Sequence, residues 1–344
     1  MHKGGNFMRY RELGKTGLNI SVVGFGGIPI QRTDAEGTKK VIDACEEKGI
    51  NYIDTARGYT VSEGYLGYAL EGRRDKFILA TKSMARSYDA MAADIETSLT
   101  NLKTDYIDLY QLHNIKTDAD FELCFSDEGA YKALTDAKAA GKIGHIGATC
   151  HSLEAFAKIV EEYSDKIETI MFPFNIIENQ GVEVMERSAA KGMGFIAMKP
   201  LAGGNIEDGR LAHRYIFSNP NCHVSIPGMA DVEEVYQNAL AGEDDSPITA
   251  EELAECEKIR AELGTSFCRR CGYCAPCPEG IDIPTNFLFV NYLRHYGLAD
   301  WAKERYAAVQ VKADACVKCG ICETRCPYDL KIRDMLEKVA IEMA

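Results

Sequence analysis

The chain has 344 residues, 46% hydrophobic and 26% charged, enough for a sizeable core in about two domains or one barrel with an appendage. A formal net charge of −13 argues against nucleic acid or an anionic membrane as the main partner, and no apolar run reaches the length of a bilayer span. Thirteen cysteines are too dilute for a secreted disulfide scaffold, and residues 1–10 show no apolar signal segment, so a cytoplasmic protein is expected.

Along the first part of the chain, short β-branched runs fall at 21–25, 52–54, 77–81, 106–112, 143–149, 169–174, 195–198 and 223–226. Between them lie segments with apolar residues every three and four, among them 38–48, 90–102, 129–140, 153–163, 182–191 and 232–240. The strands read as nearly continuous apolar runs, as a parallel sheet covered by helices requires. Gly49, Gly141 and Gly192 follow helical segments and suit the left-handed residue that ends a helix. About eight strand–helix pairs predict an α/β fold of the (β/α)8 TIM-barrel type rather than an open doubly wound sheet. Gly24-Phe25-Gly26-Gly27 lacks the spacing of a dinucleotide-binding turn.

Three predicted strand ends carry ionisable residues. Asp54 ends the second strand, with Arg57 and Tyr59 in the loop that follows; Lys82 ends the third and His113 the fourth. In such a barrel the C-terminal strand ends face one mouth, so these side chains should converge. A Lys82 cation would favour the phenolate of Tyr59 and bring proton donation nearer neutral pH, while Asp54 would hold Lys82. His113 would orient a carbonyl. Arg57 is a candidate for an anionic substrate group. His145 and His151, flanking the fifth strand, read as packing residues.

Beyond the acidic stretch 242–247, residues 251–263 read as a linking helix. Residues 264–344 hold eleven basic and ten acidic side chains, against a net −14 for 1–263, so two domains are expected, 1–263 and 264–344. The second contains Cys268-Arg-Arg-Cys271-Gly-Tyr-Cys274-Ala-Pro-Cys277-Pro and Cys316-Val-Lys-Cys319-Gly-Ile-Cys322-Glu-Thr-Arg-Cys326-Pro. The latter is the bacterial ferredoxin run as it stands. Zinc is the competing reading of paired cysteines, but zinc loops rarely carry such runs twice, each ending in Cys-Pro. Similarity to two-cluster ferredoxins implies two [4Fe–4S] clusters, one on Cys268, Cys271, Cys274 and Cys326, the other on Cys316, Cys319, Cys322 and Cys277. Arg269, Arg270, Lys318 and Arg325 would balance cluster charge or face an acidic redox partner.

With these residues in place, 9–240 resembles the aldo/keto reductase family: 9–21 is similar to its opening hairpin, and 51–59 and 109–113 to its signature stretches. Asp54, Tyr59, Lys82 and His113 stand where the family has its tetrad. The whole chain resembles the branch with a C-terminal ferredoxin-like domain. The resemblance implies an oxidoreductase acting on a small carbonyl or sugar-like substrate with NAD(P)(H), and a ferredoxin or flavodoxin as redox partner. It places Thr149, Cys150 and Met171 at the nicotinamide amide, with Asn175 and Glu178 nearby. It places Lys199, Pro200, Leu201, Gly203, Gly228 and Asn238 at the pyrophosphate and adenosine. Asp231, Glu233 and Glu234 would repel a 2′-phosphate, which favours NAD. Because nicotinamide moves two electrons and a [4Fe–4S] cluster one, a flavin is the group that would split the pair. The alternative is an electron-transfer or redox-sensing protein whose barrel does not use nicotinamide.

Overall fold

The computed structural model describes residues 7–264, 266–270, 272–295, 297–326 and 328–344. Strands β1 (Tyr10–Glu12) and β2 (Asn19–Ser21) form an antiparallel hairpin, with Tyr10 opposite Ser21. Eight parallel strands follow in sequence order: β3 (Phe25–Gly26), β4 (Tyr52–Asp54), β5 (Ile78–Ser83), β6 (Ile107–Leu112), β7 (Ile143–Thr149), β8 (Thr169–Pro173), β9 (Gly194–Met198) and β10 (Val224–Ile226). Bridges Val23–Ser225 and Gly26–Gly228 join the first of these to the last, so the sheet closes into the predicted barrel. Its first strand begins later than the apolar run suggested. Ser21 is spent in the hairpin, where its backbone N–H donates to Asn51 and its hydroxyl to the carbonyl of Val23.

Side chains alternate between two layers, as strand geometry dictates. Tyr52, Ala80, Leu109, Met171, Ile196, Met198, Val224 and Ile226 fill the interior, joined by Leu13 and Ile20 of the hairpin. Ile53, Leu79, Tyr110, Ala148, Ile170, Phe172 and Phe195 pack outward against the helices. Burying each large apolar side chain contributes about 1.5–3 kcal/mol. Helices end at Gly49, Gly141 and Gly192, all at positive φ, as their positions predicted. Helix Ser62–Ala69 was not legible, because its two glycines interrupt any stripe; Gly67 is required there, since a Cβ would lie 2.1 Å from the carbonyl oxygen of Asn101.

The chain forms two compact units. The first holds residues 1–175, 179–200 and 208–248; the second holds 176–178, 201–207 and 249–344. Helix Ala250–Leu263, assigned from charge to the first part, lies in the second unit. It opens on a capping box, in which Thr249 accepts from the Glu252 N–H and its own N–H donates to Glu252. Helices Ile283–His295, Ala299–Ala307, Ile321–Thr324 and Ile332–Glu342 complete the unit around a core of Ile281, Phe287, Val290, Leu330, Leu336 and Val339. Among the described residues no helix is long and apolar enough to cross a membrane.

Candidate functional site

Three of the barrel's strand ends build one cluster. Asp54 at the end of β4 and Lys82 in β5 are both 2% exposed and form an ion pair; Lys82 Nζ also donates to the carbonyl of Thr55 at 2.8 Å. The same Nζ lies 4.9 Å from the centre of the Tyr59 ring. His113 meets that ring edge-on, 6.3 Å between centroids. The tetrad therefore converges as the strand-end argument predicted. Burial pushes the Asp54 carboxyl up and the Lys82 ammonium down, and each restores the other toward its charged form.

The loop after β6 is fixed by Arg86, whose guanidinium donates to the carbonyls of His113 and Asn114 and to Asp120, each at 3.0 Å. Asn114 sits in the left-handed region at φ 55°. Burial, then Lys82 and Arg86, hold the His113 imidazole down to about 3. It is therefore neutral at working pH and keeps one N–H to offer a carbonyl oxygen. Its Nδ1 is buried and has no partner among the described residues.

Two residues in this region were missed. Gln111, fully buried two positions before His113 on the same inward face, donates to Asp54 Oδ1 at 3.4 Å. Strand alternation alone would have found it. Glu63, 1% exposed, accepts from Thr81 and Ser98 at 2.8 Å and from Arg57 at 2.5 Å; Arg57 also reaches Asp94 at 3.5 Å. Arg57 thus anchors the Tyr59 loop, which corrects its reading as a group for anionic substrate. His145 pairs with Glu168 at 2.7 Å, and His151 Nδ1 lies 3.1 Å from Asn114 Oδ1.

The expected nicotinamide contacts fare unevenly. Thr149 faces inward and its hydroxyl accepts from the Asn114 N–H at 2.8 Å. Cys150 follows it and, by strand alternation, points outward into the sheet–helix layer, where burial raises its thiol; it is not a mouth residue. Met171 lies in the barrel interior, opposite Thr149 in register. Asn175, fully buried, donates to the Lys199 carbonyl at 2.9 Å. Lys199 itself has φ 59°, followed by buried Pro200. Gly228 is exposed beside Pro29, whose ring carbon a Cβ would meet at 2.6 Å. Asn238, expected at the adenosine, is engaged otherwise: its Oδ1 meets His213 Nε2 at 2.8 Å, its amide donates to the Glu234 carbonyl, and His213 Nδ1 meets Ser225. This buried chain pins β10 to two helices. In the second unit, half-buried Leu201 precedes Gly203 and Gly204 at φ 70° and 89°.

The donor set around the dinucleotide elements fits a nicotinamide cofactor in part. Thr149 and Asn175 present polar atoms, and Gly228 leaves backbone uncovered. Helix Val232–Glu243 opens on carboxylates already in use: Asp231 caps the Glu234 N–H, and Glu234 accepts from Ala230 N and meets Arg32 at 3.3 Å. Carboxylates therefore crowd this helix start, with the Arg32 guanidinium among them.

In the second unit, Cys277, Cys316, Cys319 and Cys322 line one cavity with Ile283, Leu336 and Arg333. Cys277 therefore stands with the second cysteine group. Among the described residues no three Cys, His, Asp or Glu side chains converge as a single ion requires. Four thiols around one cavity fit a cubane. Of the other group, Cys274 is buried, Cys268 and Cys326 are half-buried, and all three pack on the unit's core; Cys271 lies outside the described residues. The two loops share a backbone turn: Arg270 and Gly272 have φ 57° and 88°, Lys318 and Gly320 57° and 81°.

A family model described as the aldo/keto reductase family matches residues 22–210, and one described as a 4Fe-4S dicluster domain matches 267–331. The chain is 32% identical over 213 residues to "Uncharacterized oxidoreductase YqkF" of Bacillus subtilis, a match spanning 57% of this chain and 66% of that protein. It is 26% identical to L-galactose dehydrogenase of Arabidopsis thaliana, over 67% of this chain and 87% of that protein. The solved holo form of aldo-keto reductase AKR11C1 from Bacillus halodurans superposes with a TM-score of 0.64 at 26% identity, covering 73% of this chain and 96% of that one.

Proposed function

The chain belongs to the aldo/keto reductase family of oxidoreductases and carries a 4Fe-4S dicluster domain, and from that premise we propose that it reduces a small carbonyl compound with NAD(H). A sugar-like carbonyl is favoured, since one relative is an L-galactose dehydrogenase. The observation that carries this reading is Lys82 Nζ, ion-paired with buried Asp54 and seated 4.9 Å under the Tyr59 ring.

Bound nicotinamide would supply a hydride to the carbonyl carbon. Neutral His113 orients the carbonyl oxygen through its N–H. Tyr59 donates its hydroxyl proton to that oxygen as negative charge builds, and the Lys82 cation steadies the phenolate left behind. Asp54 keeps Lys82 charged in a site that burial would otherwise neutralise. Thr149 and Asn175 would hold the nicotinamide end, and Lys199, Pro200 and Gly228 the phosphates.

The eight cysteines, Cys271 included, would hold two [4Fe–4S] clusters that exchange single electrons with a ferredoxin or flavodoxin in the cytoplasm. A second reading rests on Met171 and outward-facing Cys150, which leave the amide site short of donors: an electron-transfer or redox-sensing protein with a flavin at the mouth. Released flavin in the denatured supernatant supports a flavin at the mouth, and its absence removes the flavin from this second reading.

Tyr59→Phe tests the main reading in anaerobically prepared protein, with NADH and a panel of aldehydes, ketones and aldoses. Carbonyl reduction should fall about 10²–10⁴-fold while cluster absorbance persists. Reduction that survives the substitution refutes the assignment of Tyr59.

A further inference from the structure

Residues Ile176, Ile177 and Glu178 continue the chain directly past Asn175, yet they belong to the second unit. Three arginines hold them in turn. Arg260 Nε donates to the Ile176 carbonyl at 2.8 Å, Arg269 Nε to the Ile177 carbonyl at 3.3 Å, and Arg270 Nη2 to Glu178 Oε1 at 3.2 Å. Arg269 and Arg270 are the two residues between Cys268 and Cys271.

Both are deeply seated. Arg269 is 6% exposed, stacks 3.8 Å from the centre of the Tyr328 ring and also donates to the Gly264 carbonyl at 2.9 Å. Tyr328 stands two residues after Cys326, so this one guanidinium connects both stretches that carry the first ligand set. In the Arg270–Glu178 pair the carboxylate is fully buried and the guanidinium 9% exposed, and such a pair is costly to break because the remaining charge is stranded. A non-glycine residue at positive φ, as Arg270 is, persists where its surroundings over-determine it.

The second loop is a control within the same molecule. Lys318 has the φ of Arg270, but its side chain is exposed and pairs, among the described residues, with Glu337, itself exposed. The shared turn therefore does not by itself create the grip; the side chains of the first loop do.

We infer that Arg269 and Arg270 are positioning residues that lock residues 176–178 to the first cysteine group. Filling that group with iron and sulfide sets the order of this segment and, through the adjoining Asn175, the affinity for nicotinamide. The last link rests on the function proposed above; the lock does not.

Hydrogen–deuterium exchange on the full-length, anaerobically prepared protein reads the lock at residues 175–180, with β5 and β6 as internal reference. In Glu178→Gln and Arg270→Gln, iron should stay at about eight per chain. The reference strands should stay protected while exchange in the segment rises about tenfold or more. Stripping iron from the unsubstituted protein with a chelator should do the same. NADH binding, followed by its fluorescence, should weaken about tenfold in all three samples. Unchanged protection of 175–180 in both variants overturns the lock. Lost protection with unchanged NADH affinity overturns the coupling through Asn175. If NADH binds to no sample, the nicotinamide reading fails alone, because exchange still reports on the lock. Should Arg270→Gln lose iron, Arg269→Lys replaces it: it keeps the charge, gives up the planar stack on Tyr328, and should raise exchange by a smaller factor.

Discussion

The barrel mouth and the cysteine region solve opposite problems. At the mouth, the charges that matter are already matched by side chains: Lys82 has Asp54, Arg57 has Glu63, Arg86 has Asp120. The barrel around them has a continuous apolar core. In the cysteine region the walls are thiols, and the helices between them share a much smaller core. One site is preorganised by its own chain, whereas the other should draw much of its order from its inorganic partner.

The largest expected effect breaks that contrast directly. Removing iron should unfold residues 268–331, at a cost of several kcal/mol (about 5 or more), while the barrel's melting transition remains. Limited proteolysis with mass readout checks this; a barrel that melts together with the stripped region refutes the separation. Next, Lys82→Met strands a buried carboxylate and should cost the barrel about 3–5 kcal/mol in denaturant unfolding. The double variant with Asp54→Leu should recover most of it.

A smaller effect comes from pH. Burial holds His113 down to about 3, His213 to about 4 and, with Arg11, His223 to about 4. The unfolded chain binds these protons near 6.5 and the folded barrel does not, so stability should fall as pH drops from about 6.5 toward 4. Against burial, Arg86 and two backbone N–H groups hold Asp120 down to about 2, and His145 and Lys138 do so for Glu168. Their stabilisation is present above the usual carboxylate range and is lost below it, the same direction. Melting temperatures from pH 8 to 4 check the sign. The smallest effect is Lys318→Ala, which removes an exposed ion pair and should change stability by about 0.2–1 kcal/mol.

The barrel was legible because strand and helix periods differ, and the convergence of Asp54, Tyr59, Lys82 and His113 because a strand-end residue in a barrel has one place to face. The cysteine runs were legible because spacing is the chemistry. What escaped depended on orientation or on distant partners. Cys150 sits one residue past inward-facing Thr149, and one residue reverses the face. Asn238 carries the right amide, but His213, 25 positions away in sequence, already holds it. Arg269 and Arg270 looked like charge beside ligands; their partners at 176–178 lie about ninety residues earlier. The charge shift suggested a boundary at 264, but Arg260 bonds to Ile176 and carries its helix into the second unit.

The β1–β2 hairpin has a consequence for solvent traffic. Leu13 and Ile20 join the interior layer, and Lys15 N–H donates to the carbonyl of Gly192 just before β9 begins, so the hairpin stoppers the end of the barrel away from the tetrad. With that end stoppered and the interior filled by side chains, the Asp54–Lys82 pair faces the opposite end. On the function proposed above, water, substrate and product would share that opening, and a proton given up by Tyr59 would be replenished from that side.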